Sequence, residues 1–302
     1  MKNDTHRIAI IGAGKVGTAV GNLLAKQGHH LIAASAATQA SLEKASPFLP
    51  EARLTLDSAE AIRDADIVLI TTKDEQIKLA CDEIATQGAF NASHTVIHMS
   101  GAGSLELLAS AKAAGANVAS IHPIQSFASV ELAIEKLPGS YFGVTAEGRA
   151  KDIALGIVRD LGGKPVEVAD EDKSLYHAAA CITSNYLVTL LHLANKLYVA
   201  SGFDESVALE AMMPLVKGTV ANIESVGTVA ALTGPIARGD TKVIEQHLLS
   251  LARLDDGIGG TLGTTILDVY KALGLETIDI ALQKGTLSAE AAERLSAALK
   301  RT

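Results

Sequence analysis

The run RIAIIGAGKVG, residues 7–17, constrains this chain more than any other feature. Arg7 to Ile11 predict a short buried strand, and residues 15–27 predict a helix. Between them lies Gly12-x-Gly14-x-x-Gly17. Strand, glycine turn and helix N-terminus in direct succession form the opening of a dinucleotide-binding βαβ unit. Gly12 permits the tight turn, Gly14 lets the backbone approach a pyrophosphate, and Gly17 lets helix and strand pack closely. The helix start offers free N–H groups and the positive dipole end. The whole turn is therefore expected to bind cofactor: Gly12, Ala13, Gly14, Lys15, Val16 and Gly17. A tight turn without a ligand is the competing reading, and the strand–helix context argues against it.

The rhythm continues through the first half. Strands are predicted at 7–11, 30–34, 66–71, 95–99, 117–121 and 141–145, with a weak one at 53–56. Helices are predicted at 15–27, 38–46, 75–87, 104–114 and 147–161, and PVEV (165–168) closes the sheet edge. Alternation of this kind means a parallel sheet with helices on both faces. After residue 168 strand signals vanish. Helical patterns cover 171–201, 204–225, 240–252 and 287–299, punctuated by Gly202, Gly234-Pro235 and Gly257–Gly260. The expected fold is α/β: a Rossmann-type doubly wound parallel sheet, 1–168, followed by an all-α C-terminal domain, 169–302.

In an open sheet of this class ligands sit beyond the carboxyl ends of the strands. The second strand ends in AASAATQ, so Ser35 stands where an NAD site places an acid. The missing acid favours NADP and leaves NAD possible. Ser35 and Thr38 are candidates for the 2′-phosphate, with Lys44 further off; both could instead cap the loop. Thr71 and Thr72 follow the fourth strand and are expected beside the nicotinamide ribose. Asp74 reads as the N-cap of the next helix. Ser100 and Gly101 follow the fifth strand as a hydroxyl and a bare backbone, and Ser104 reads as a cap. The sixth strand runs into His122-Pro123-Ile124-Gln125-Ser126-Phe127. Three hydrogen-bonding side chains there, His122, Gln125 and Ser126, suit a substrate. A structural turn is the alternative.

The helix that opens the second half carries a polar seam. Relative to Lys173, His177 lies at about 40°, Cys181 at about 80°, Ser184 at about 20° and Asn185 at about 120°. Unpartnered burial of such groups costs about 1–3 kcal/mol each. The seam therefore either faces solvent or lines a polar cavity, and the cavity is preferred. His177 is then the candidate proton donor, because an ordinary imidazole titrates near neutrality. Ser184 and Asn185 are candidates to hold a substrate. In LTGPIARGD (232–240), Arg238 is a fork for a carboxylate. An Arg238–Asp240 surface pair, or Asp240 as a cap, is the alternative.

Composition excludes other classes. A net charge of −8 without a basic run argues against nucleic acid. No stretch approaches the roughly 20 apolar residues of a membrane span, and the N-terminal segment runs into the glycine turn rather than a signal-peptide pattern. Cys81 and Cys181 make no metal pattern, and two lone cysteines suit a reducing cytoplasm. The nine histidines include no HExxH, so no metal is expected.

IGAGKVGTAV, HMSGAGS, IHPIQSF, LGGKP, YHAAACITSNYLVTL and LTGPIARGD followed by His247 together resemble a two-domain family with a Rossmann-like part and a helical domain catalogued as DUF2520. The wider group includes 6-phosphogluconate-dehydrogenase-like reductases. The resemblance implies an NADP(H)-linked oxidoreductase that is dimeric through its helical domain. Its most specific implication is a ketopantoate-reductase-like activity. Two positions depart from the relatives. Many carry Lys-x-x-x-Asn on this helix, and matching Asn185 to that Asn puts Cys181 at the Lys. Ser-Arg often follows their second strand, where this chain has Ser35-Ala36.

The combined expectation is a reductase of a small keto acid or imine, with His177 and Asn185 catalytic. His122, Gln125, Ser126, Ser184 and Arg238 would bind substrate. The alternative is a non-enzymatic NADP(H)-binding sensor, which the absent Lys would suit.

Overall fold

A computed structural model describes residues 5–258 and 262–301. It divides into two compact units, Met1–Leu187 and Val188–Thr302. Gly259 and Gly260, read above as punctuation, lie outside the described residues.

In the first unit strands and helices alternate: β1 (Arg7–Ile11), α1 (Lys15–Lys26), β2 (His30–Ser35), α2 (Gln39–Ala45), β3 (Arg53–Thr55), α3 (Ser58–Ile62), β4 (Ile67–Ile70), α4 (Asp74–Thr86) and β5 (Thr95–His98). Next come α5 (Ala109–Ala113), β6 (Asn117–Pro123), α6 (Val130–Lys136), β7 (Tyr141–Ala146), α7 (Gly148–Asp160), β8 (Lys164–Glu167) and α8 (Lys173–Cys181). The strands form one sheet in the order β3-β2-β1-β4-β5-β6-β7-β8. The order reverses between β1 and β4, which is where such a sheet opens a ligand crevice.

Side-chain alternation along each strand explains the double cover. Ile8, Ile10, Ile67, Leu69, Ile97 and Ile121 face one side, where Ala19, Val20 and Leu24 of α1 and Ile157 and Val158 of α7 meet them. Ala9, Ile11, Val68, Ile70 and Val96 face the other, against α3, α4 and α5. Sequence also predicts a fully parallel sheet, and β7 corrects this by running antiparallel to β6, with Pro123 opposite Phe142. The Ile124 N–H donates to the Tyr141 carbonyl at 2.8 Å. The chain thus re-enters at the edge where β6 leaves. α6 lies within that connection, its Ala133 buried on the α1 side, and does not return the chain to the opposite edge.

A π-helical turn, Ile182–Tyr186, follows α8 and interrupts the long helix expected over 171–201. The helices beyond it are α9 (Leu187–Ala200), α10 (Glu205–Ala231), α11 (Thr241–Ile258), α12 (Leu262–Lys284) and α13 (Ala289–Lys300). α10 is kinked at Gly227, where φ is +80°. The second unit is built around Ile244, Ile278, Ala281, Leu295 and Leu299. α12 is not foreseen in the sequence, where Gly274 weakens the helical pattern. The structure gives that glycine a use: a Cβ there would stand 2.8 Å from Leu299 Cδ2, so its absence lets α12 and α13 approach.

Candidate active site

The turn after β1 distinguishes its glycines by cause. Gly12 has φ +97°, and a Cβ on it would stand 2.8 Å from the Thr72 backbone nitrogen. A Cβ on Gly17 would meet the Gly12 carbonyl at 2.5 Å and the Ile10 Cγ2 at 3.0 Å. The fold itself therefore requires both. Gly14 is different: its φ is −84° and the nearest atom to its missing Cβ is 4.0 Å away. Nothing in the chain needs a glycine there. A ligand approaching the backbone does, and Gly14 is exposed at the N-cap of α1, where no side chain caps the helix. The first-turn N–H groups of a helix have no intrahelical partner. The buried Thr72 hydroxyl beside this turn has no partner among the described residues. Thr71, by contrast, uses its hydroxyl to hold the turn, donating to the Gly12 carbonyl at 2.7 Å. These features fit a dinucleotide phosphate.

Ser35 does not present its side chain there. It is buried, and its Oγ lies 3.0 Å from Ser58 Oγ. Thr38 caps α2 by accepting from the Ser41 N–H, and Lys44 is exposed on that helix.

Beyond β5 and β6, α8 is docked by three side chains at i, i+3 and i+4. The Lys173 ammonium is buried, 2% exposed, and donates to Ser120 Oγ at 2.8 Å and to the Ser100 carbonyl at 3.2 Å. Tyr176 Oη lies 2.8 Å from His122 Nδ1. His177 meets His122 edge to face, ring centroids 5.6 Å apart. Two glycines make this docking possible. A Cβ on Gly101 would collide with His177 Nδ1 and stand 2.9 Å from His122 Nε2, and one on Gly143 would stand 2.7 Å from Tyr176 Oη. Ser100 is fixed at each polar atom, its carbonyl by Lys173. Its N–H donates to His98 Nδ1, and its hydroxyl donates to Asp74 and accepts from the Gly103 N–H.

Burial sets the charge states here. It pushes His98 down to about 3, helped by the Lys173 ammonium. It pushes His122 down to about 4, with His177 and Lys173 adding to the effect and Asp74 opposing it. It lowers Lys173 to about 8, against the pull of Asp170 and Asp74. Near neutral pH the site thus holds two neutral imidazoles beside one buried cation.

Several expected residues sit otherwise than read. Asp74 is not the N-cap of α4, which is Lys73; its carboxylate accepts from Ser100 instead. Ser104 occupies a cap position but its side chain accepts nothing there, and the Asp170 carboxylate takes the Leu105 N–H. Gln125 and Ser126 are exposed, the Gln125 side chain accepting from the Ser126 N–H. Ser184 and Asn185 are exposed on the π turn. A wheel drawn at 100° per residue stops holding at Ile182, because a π turn changes the phase. Arg238, in the second unit, pairs with Asp240 at 2.9 Å. The structure thus brings together Ser100, Gly101, His122 and His177 and adds Lys173 and Tyr176. In the sequence Tyr176 looks like one more apolar core residue of the helix, although 173, 176 and 177 share a face by i, i+3, i+4 spacing.

Among the described residues no helix is long and apolar enough to cross a membrane, and no group of three or more His, Cys, Asp or Glu could hold a metal.

Residues 1–123 match the model described as a Rossmann-like domain, and residues 140–277 match the domain of unknown function DUF2520. The chain has this two-domain architecture. No curated protein matches it. Among solved structures it is similar to a protein from Thermotoga maritima at 24% identity, covering 92% of this chain and 99% of that one with a TM-score of 0.68. A Bacteroides fragilis protein described as an NADP oxidoreductase is 22% identical, over 84% of this chain and 93% of that one, with a TM-score of 0.68. A reductive aminase from Aspergillus terreus, solved with NADPH and ethyl-5-oxohexanoate, is 20% identical, over 99% of this chain and 93% of that one, with a TM-score of 0.58. These are likenesses of fold.

Proposed function

We propose that this Rossmann-like plus DUF2520 chain is an NADP(H)-dependent oxidoreductase that reduces a small keto acid or imine. The observation that carries the reading is the pairing of two features on one sheet edge. Gly14 is bare for no reason internal to the fold, and a cluster of imidazoles stands beyond β5 and β6. The folds of an NADP oxidoreductase and an NADPH-bound reductive aminase support it.

In this reading the Gly12–Gly17 turn, the N-terminus of α1 and Thr72 hold the dinucleotide. NADPH bound there supplies a hydride to the substrate carbon. His177 gives the proton to the carbonyl oxygen or imine nitrogen. The neutral state of His122 avoids a second positive charge beside it. The pinned Ser100–Gly101 loop keeps the His177 ring in register with the strand ends. Arg238 keeps the chemistry of a carboxylate fork, and a carboxylate would have to replace Asp240 on it. Gln125, Ser126, Ser184 and Asn185 are exposed amide and hydroxyl groups of the kind that orients a polar substrate. A ketopantoate-reductase-like reaction is the most specific form of the proposal. The helical domain serves as the dimer contact.

The test is oxidation of NADPH, with NADH in parallel, against ketopantoate, pyrroline-5-carboxylate, succinic semialdehyde and simple 2-keto acids. We expect turnover with at least one and a preference for NADPH. His177→Ala should lower turnover about 10²- to 10⁴-fold, the usual range for a general acid, with NADPH affinity unchanged. Tight NADPH binding with silence across the panel would favour a protein that senses the cofactor.

A further inference from the structure

We infer that Tyr176 and His122 form a reversible hydrogen-bond switch for His177, donating to it when it is neutral and accepting from it when it is protonated. The inference rests on the reading of His177 as proton donor and concerns how that residue can change charge while its Nδ1 is buried.

The geometry begins at Gly101. His177 Nδ1 is buried with no partner among the described residues. A buried polar atom left so costs about 1–3 kcal/mol. The missing Cβ of Gly101 marks a spot flanked by this nitrogen and by His122 Nε2, and the two rings meet edge to face at 5.6 Å. On its far side His122 presents Nδ1 to Tyr176 Oη at 2.8 Å. Burial raises the Tyr176 phenol above its ordinary value, so it stays protonated and can donate to Nδ1. A neutral imidazole carries one N–H. With Nδ1 accepting, that hydrogen is on Nε2, the nitrogen that flanks the spot beside Gly101. The structure shows no bond between the two nitrogens; the switch requires the rings to close on that spot, so that His177 Nδ1 becomes the acceptor and the single proton of neutral His177 stays on Nε2.

Protonated His177 carries hydrogen on both nitrogens, and the chain must reverse. His122 then holds its proton on Nδ1, donates to Tyr176 Oη, and accepts at Nε2 from His177. The Tyr176 hydroxyl needs a second acceptor for this, and the His122 carbonyl oxygen lies 3.4 Å away. One proton is added overall to the three residues, and solvent supplies it. His122 itself never becomes a cation in either state, in keeping with its value of about 4. The other charged or titratable groups about the cluster are Lys173 and Cys181 on α8, His98 on β5 and Asp74 on α4. Lys173 is directed to Ser120 and Ser100 rather than to either ring.

The experiment is a pH titration of ¹⁵N-labelled full-length protein, reading imidazole nitrogens by long-range ¹H–¹⁵N spectra. His122→Asn and His177→Asn variants assign the signals. We expect His122 to be the Nε2–H tautomer while His177 is neutral and to become the Nδ1–H tautomer as His177 protonates. A His122 that keeps one tautomer across that titration overturns the proposal, and so does an imidazolium at His122 near neutral pH. Tyr176→Phe should abolish the tautomer change and lower turnover about tenfold with KM little altered. Should that variant fail to fold, the wild-type titration decides alone. The spectra need no substrate. A silent substrate panel with the tautomer change intact would count against the reductase reading only, and turnover with a fixed tautomer against the switch only.

Discussion

His98 and His122 are bases whose folded-state values, about 3 and about 4, lie below the ordinary 6.5. Between those values and 6.5 the unfolded chain binds protons that the folded chain refuses. Stability contributed this way is present above pH 6.5 and is lost as pH falls towards the folded values. Urea unfolding between about pH 7 and 5 should show stability dropping by up to roughly 1.4 kcal/mol per pH unit for each histidine. His98→Asn should remove about half of that slope, and an unchanged slope would contradict the burial assigned to His98. Lys173 acts at the other end of the scale. Its value of about 8 also lies below the ordinary 10.5. The folded state therefore gains on the unfolded as pH rises from about 8 towards 10.5, where only the unfolded chain still holds the proton. Wild type should gain stability relative to Lys173→Met over that interval, as measured by thermal midpoints at matched ionic strength. Parallel curves for the two proteins would place the Lys173 ammonium in water rather than against Ser120 and Ser100.

At the level of elements, the glycines separate ligand from fold. Gly17→Ala should abolish folding or cost several kcal/mol, because its Cβ would enter the Gly12 carbonyl at 2.5 Å. Gly14→Ala meets nothing within 4.0 Å and should leave the thermal midpoint almost unchanged. It should still weaken NADPH at least tenfold in a fluorescence titration. Equal affinity in Gly14→Ala would remove the main support for the dinucleotide site. This contrast also marks what the sequence could disclose. GAGKVG and the strand ends are legible because a βα turn imposes its demands on consecutive residues. The reversal at β7 is hidden because both directions of a buried strand show the same apolar run. The α8 face was half legible. Lys173 and His177 stand out as polar residues on an alanine-rich helix, whereas Tyr176 passes as core until His122 is seen beside it. Ser184 and Asn185 share that face only in a continuous α-helix, and Ile182–Tyr186 is a π turn. Ser35 stands as a 2′-phosphate candidate in the sequence because nothing in a single strand tells that Ser58, 23 positions on, will face its hydroxyl.

For the whole molecule, the second unit poses a question that its own core does not answer. Ile244, Ile278, Leu295 and Leu299 are buried among α11, α12 and α13. α10 instead leaves Leu209, Leu215, Val220, Ile223 and Val226 exposed, Leu215 at 67% and Val226 at 56%. Monomeric proteins rarely expose contiguous apolar patches beyond a few hundred Å², and one 27-residue helix bearing such a set offers a large fraction of a stable interface, whose total is about 1,200–2,000 Å². The dimer proposed above would cover this surface, since a two-fold contact needs only one self-complementary patch. Sedimentation velocity at micromolar concentration should therefore give twice the monomer mass, with a thermal midpoint that falls on dilution. Leu215→Glu combined with Val226→Glu places two charges on that face and should yield a monomer. Neither side chain belongs to the core of the second unit, so the monomer should keep its helical signal. A wild-type protein that sediments as a monomer would overturn the proposed dimer contact on α10.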